Sequence, residues 1–169
     1  MTDAPQTIAE IVARSERAMQ RVVQAIAPLS PTQLVEPRLP GDRSVKDVLA
    51  HLNWWDLWLL HTLPTDPHGT YSVLPLPLAE QIPPTNDWAN KMNAKVHSYS
   101  QGRDLAVIQA EFTTTCKQLV ERVSHLSIDD LYDPNGLSAR IGQPVAPLVL
   151  GIYEHYEEHA HEFEQLPWS

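Results

Sequence analysis

His155 and His159 stand four residues apart, and of all the side chains in this sequence they are the best spaced for chemistry. On a helix, positions i and i+4 project from one side, so imidazoles at that spacing can grip a single ion. Leu148, Ile152 and Phe163 fall on the same side, which makes it the apolar, inward one. A third histidine, His51, lies three residues after Val48 and four before Trp55, at the flank of another apolar stripe. Three neutral imidazoles from two facing helices would make a three-ligand site with a coordination position left for water or substrate. Borderline nitrogen donors suit zinc, nickel, iron or copper better than magnesium. The expected cofactor is therefore a divalent metal, zinc or nickel first, at His51, His155 and His159. Spacing alone also fits a solvated face, because residues 153–162 read Tyr-Glu-His-Tyr-Glu-Glu-His-Ala-His-Glu. The apolar stripe favours the site, since a buried imidazole without a partner is costly.

Tyr156 and Glu158 adjoin the pair and are the candidate catalytic groups. A carboxylate such as Glu154 or Glu158 there can orient a ligand ring or act as a general base. Trp54, Trp55 and Trp58 crowd the His51 segment. Such a cluster is commonly core, but Trp55 shares a side with His51 and is the candidate wall of a substrate pocket. Cys116 sits inside an amphipathic segment and reads as an inert buried thiol. His61, His68, His97, His125 and His161 read as surface residues. No Gly-rich phosphate loop, serine elbow or kinase signature is present, which removes several enzyme classes.

Four long helices must carry these groups. The first spans about Thr7 to Ala27, with Thr7 and Glu10 forming a capping box and Ile8, Ile11, Val12, Met19, Val22, Val23 and Ile26 on one face. The second starts at Ser44, with Asp47 three residues on and Val45, Val48, Leu52, Trp55 and Leu59 as its stripe, and ends near Leu63 before Pro64. Prolines recur from Pro64 to Pro84, so a long connection is expected there. A shorter helix follows from Asn86, with Trp88, Met92, Val96 and Tyr99 along one side. The third long helix runs from Asp104 to His125, and the last begins near Pro147 and stops before Pro167. Leu29–Pro37 and Leu126–Pro134 echo each other in Leu-Ser, a Leu five places on, and acid-Pro. Each reads as a one-turn helix closing a helical hairpin.

The chain has 169 residues, a natural size for one domain over residues 1–169, and its 43% apolar content is enough for a core. Fifteen prolines against six glycines suit helices joined by firm connections. The net charge of -9 repels phosphate backbones and anionic lipid, so neither nucleic acid nor a membrane is an expected partner. No apolar run approaches the roughly 18 residues of a membrane span, and the N-terminus lacks a signal-peptide pattern, which makes the cytoplasm the expected location. With Cys116 alone, no internal disulfide can form.

Three stretches resemble the DinB-like superfamily, within it the branch related to DfsB and the colibactin self-protection protein. They are Ser44-Val45-Lys46-Asp47-Val48-Leu49-Ala50-His51-Leu52 with Trp55, Leu119 to Leu131, and Gly151-Ile152-Tyr153-Glu154-His155-Tyr156-Glu157-Glu158-His159. The resemblance implies an all-α four-helix bundle with a long crossover between its second and third helices. It also implies metal ligation by one histidine of the second helix and a His-x-x-x-His pair of the last, which map onto His51, His155 and His159. Some relatives are metal-dependent transferases using low-molecular-weight thiols, whereas the self-protection branch hydrolyses a cyclopropane in an electrophilic toxin. The last-helix wording follows that branch, yet all three histidines are retained. The expected function is thus addition of water or a low-molecular-weight thiol to a small electrophile. The alternatives are a metal-free protein that sequesters a small molecule and a dimerisation module; a homodimer is compatible with each.

Overall fold

Three long helices begin at caps that their own sequences supply. Thr7, Ser44 and Asp104 each turn a side-chain oxygen onto backbone N–H groups of the first turn, donors that no intrahelical carbonyl can reach. At Thr7 and Ser44 the third helical residue, Glu10 or Asp47, reaches back to complete a capping box. The computed structural model describes residues 7–63 and 87–167. Helix α1 spans Ile8–Ile26, α2 Pro31–Val35, α3 Val45–Thr62, α4 Trp88–Gln101, α5 Leu105–Ser124, α6 Ile128–Tyr132, α7 Leu137–Ile141 and α8 Val145–Glu164. Among these residues there is no strand, only an isolated bridge between Leu39 and Arg43. The all-α architecture matches expectation. The Pro64–Pro84 connection and His68 lie outside the described residues.

The bundle consists of α1, α3, α5 and α8, with α1 laid along α8, α3 along α5, and α4 docked on α3. Its core is filled at helical spacing: Ile11, Ala18, Val22 and Ile26 from α1; Ile108, Phe112, Leu119 and Val123 from α5. Burying each large aliphatic or aromatic side chain contributes about 1.5–3 kcal/mol before chain entropy is counted. Both echo segments form one-turn helices, α2 and α6, started by the capping boxes Ser30/Gln33 and Ser127/Asp130. No helix of the described residues is long and apolar enough to cross a membrane.

Some details depart from the pattern. Val23 and Tyr99, placed on buried stripes by periodicity, are exposed, because neither lies at the centre of its helix's contact arc. Helix α8 begins two residues before Pro147, leaving that proline at the third helical position. Its missing N–H falls among the donors that have no intrahelical acceptor in any case. Helix α7 was not anticipated; one turn is too short to show a period, and it is held by buried Leu137 and ended by Gly142 at φ +77°.

Asp47 joins local capping to tertiary structure. Its Oδ2 accepts from the Ser44 N–H and hydroxyl at 2.8 and 2.7 Å, while Oδ1 accepts from Ser100 Oγ at 2.6 Å and Gln101 Nε2 at 2.9 Å. Burial works to raise its pKa, but the hydrogen bonds from Ser100 and Ser44 outweigh burial and hold the carboxyl below its ordinary value. One carboxylate thus caps α3 and fastens the C-terminal end of α4 to it. Asp47→Ala should cost about 2–3 kcal/mol in urea unfolding. It should also speed amide exchange in α4 more than in α1, a difference that exchange mass spectrometry reads.

Candidate metal centre

His51 sits two turns into α3, at a height fixed by the Ser44 cap, and His155 and His159 occupy successive turns of α8. Across the α3–α8 contact the three rings meet. His51 Nε2 is 2.8 Å from His155 Nε2, and His155 Nε2 is 3.2 Å from His159 Nε2. One ring nitrogen from each lies within 4.8 Å of the others. The ring centroids are 4.9, 5.2 and 4.9 Å apart, too close for another side chain to intervene. His159 is 5% exposed, and the other two are half-buried.

Two of the rings have further protein partners. His159 Nδ1 lies 2.7 Å from Glu162 Oε2, and Glu162 is itself met by the Arg43 guanidinium at 3.4 Å. A carboxylate at that distance accepts a hydrogen bond from Nδ1–H, and a neutral ring in that tautomer presents a lone pair at Nε2. Asn93 of α4 hydrogen-bonds His51, whose Nε2 already faces His155, and its Oδ1 also accepts from Trp55 Nε1 at 3.0 Å. Arg43 is delivered by a tight turn in which Gly41 and Asp42 adopt φ +75° and +55° and the Arg43 Nε donates to Pro40 O at 2.9 Å.

Burial, then the positive potential of His155 and His159, lowers the His51 pKa to about 3. Burial and His159 lower that of His155 to about 4. Both rings are therefore neutral at pH 7, each with one N–H and one lone pair, and the tautomers decide which ring donates in the Nε2···Nε2 contacts. Three imidazoles whose Nε2 atoms converge are the donor set that a borderline divalent cation takes, with metal–nitrogen bonds of about 2.0–2.1 Å. The residues fit the ion.

The other candidates are placed differently. Trp55 is half-buried with its ring 6.3 Å from that of His51, beside the site as expected. Tyr156 is fully buried, and its hydroxyl donates to Asp56 Oδ2 at 2.6 Å, so it faces the core between α3 and α8. Glu158 and Glu154 are exposed, and the carboxylate on a ring is Glu162 instead. Glu162 was within reach of sequence reasoning as the i+3 neighbour of His159. Asn93 and Arg43 come from distant segments and carry no local signal. Cys116 is buried, and burial, followed by Asp56, pushes its thiol up to about 12, which leaves it unreactive near neutral pH.

A family model described as the DinB superfamily matches residues 14–163. No curated protein matches the sequence. Among solved structures, the colibactin self-resistance protein ClbS in complex with a double-stranded DNA has a similar fold. The TM-score is 0.66 at 15% identity, with 97% of each chain covered. That finding overturns the expectation that nucleic acid is excluded: a protein of this fold is seen on duplex DNA. Net charge is a sum over the whole surface, and a single face can oppose it.

Burial raises the pKa of Asp56 to about 7, against the lowering effect of the Tyr156 hydrogen bond. An unfolded aspartate ionises near 4, so the folded state holds this proton where the unfolded state has lost it. The group's contribution to stability is complete below the unfolded value and disappears as pH rises through about 7. Asp56→Asn should therefore gain on wild type by up to about 1.4 kcal/mol per pH unit across that window. Urea unfolding at a series of pH values reads the difference.

Proposed function

The chain belongs to the DinB superfamily, and from that premise we propose that it is a metal-dependent enzyme adding water or a low-molecular-weight thiol to a small electrophile. The observation that carries this reading is the convergence of three Nε2 atoms whose rings are turned by Asn93 and Glu162. His51, His155 and His159 would hold the ion. A divalent ion supplies Lewis acidity, lowering the pKa of a water or thiol so that a nucleophile is available near neutral pH. The protein's own part is orientation. Glu162, braced by Arg43, holds the His159 ring, Asn93 holds that of His51, and Tyr156 bound to Asp56 locks α8 against α3. Trp55 forms the wall beside the rings and limits water there.

Calorimetric titration of tag-free protein with zinc or nickel should give one equivalent of tight binding. His159→Ala should abolish it, and Glu162→Ala should weaken it roughly 10–100-fold. Titration with no saturable binding ends the metal reading. A sequestering role is separated by mixing a reactive electrophile in excess over loaded protein: continued consumption marks an enzyme, and a one-for-one endpoint marks a trap.

A second reading, contact with duplex DNA, is favoured by the ClbS complex and by the charge of α4. Between Trp88 and Gln101 that helix carries Lys91 and Lys95 with no acidic residue, in a chain of net charge -9. Lys91 meets Asp87 only at 3.9 Å. Fluorescence anisotropy with a labelled duplex should show weak binding that strengthens as salt is lowered and disappears in Lys91→Glu/Lys95→Glu. No binding at low salt, or binding indifferent to the double variant, counts against it.

A further inference from the structure

Gly151 is the single glycine of α8, and it stands on the face that carries the histidines. It precedes His155 by four residues, one turn of about 6 Å along the axis, and follows Leu148 by three. Leu148 and His155 are half-buried on either side of it, so the glycine between them makes a notch one side chain deep. Nothing in the packing calls for a glycine there. Its backbone is helical, and among the described glycines φ is positive only at Gly41 and Gly142. A Cβ at Gly151 would meet no atom within 4 Å. Glycine in a helix interior is destabilising relative to alanine, and here no close approach of another chain segment accounts for it. The notch opens beside the metal centre. Arg43 meets Glu162 and His51 meets His155, so α3 and α8 run antiparallel, and a step forward on one is a step back on the other. One turn on from His51 is Trp55, whose ring lies 6.3 Å from that of His51. One turn back from His155 is Gly151. The two stand at one level of the bundle, next to the converging nitrogens, with open space on the glycine side.

We infer that Gly151 is a specificity-determining residue, whose notch takes a ring-sized group borne next to the reacting atom of the substrate. The inference rests on the proposed function, since it needs a reaction at His51, His155 and His159, and it adds the shape of the electrophile. The turn between Gly151 and His155 matches the length of one aromatic or alicyclic ring. Such a group reaches the notch while its reacting atom stays at the centre, whereas a compact electrophile leaves the notch unfilled. A side chain at position 151 would occupy the same space and exclude the ring.

The test uses cobalt-loaded full-length protein, whose visible spectrum reports an added metal ligand without any turnover. The probes are imidazole, which is compact, and benzimidazole, which carries a fused ring beside the same kind of donor nitrogen. Gly151→Leu should weaken benzimidazole roughly tenfold or more against wild type and leave imidazole within about twofold. Glu157→Leu, at an exposed position of α8 near Arg21, should bind both probes as wild type does. In metal-free protein, Gly151→Ala should raise the urea midpoint, because alanine is the better helix former and its methyl group meets nothing. A protein that takes up no cobalt removes the metal centre and this inference together. Cobalt uptake with benzimidazole bound equally by wild type and Gly151→Leu, or bound by neither, overturns the inference alone. Equal weakening of the two probes in Gly151→Leu does the same, as does a lower urea midpoint in Gly151→Ala, which would show that packing requires the glycine.

Discussion

Three imidazole rings bring their Nε2 atoms together at the α3–α8 contact, with neighbouring separations of 2.8 and 3.2 Å. Burial and the neighbouring histidines push His51 to about 3 and His155 to about 4, so near neutral pH each of these rings carries one N–H and one lone pair. Glu162 holds the His159 ring and Asn93 hydrogen-bonds His51. A cluster of neutral imidazole nitrogens is the donor set that a borderline divalent cation takes.

Seen from that constraint, much of the fold is support. The Ser44–Asp47 cap sets where α3 begins, and so the height of His51 on the bundle; the same carboxylate fastens α4. Helix α4 in turn supplies Asn93, so the His51 ring depends on a helix outside the four-helix core. The strained turn at Gly41 and Asp42 places Arg43 on Glu162, and the Asp56–Tyr156 bond prevents α8 from sliding past α3. Each device is weak alone. Together they over-determine the ring positions, as a binding site requires.

How much of this was legible in the sequence follows from the range of each interaction. His155 and His159 share a face by helix geometry, and the capping boxes at Thr7, Ser44, Ser30 and Ser127 are local, so all were readable. His51 was readable too, from its position at the edge of an apolar stripe. Tyr156 lies in the core and Glu158 on the surface because adjacency along the chain is not adjacency on a helix; one residue is a rotation of about 100°, enough to carry Tyr156 into the core. Asn93 and Arg43 reach the site only through tertiary packing, so periodicity could not find them. Net charge could not exclude nucleic acid because it averages over faces, and α4 differs in sign from the molecule that carries it.

The most direct test of the central claim is anomalous diffraction across the zinc absorption edge, on crystals of tag-free protein grown with zinc. A single anomalous peak within coordinating reach of Nε2 of His51, His155 and His159, with Glu162 still on His159 Nδ1, is expected. Rings that stay in mutual contact with no peak between them, or zinc bound at another part of the surface, would contradict it.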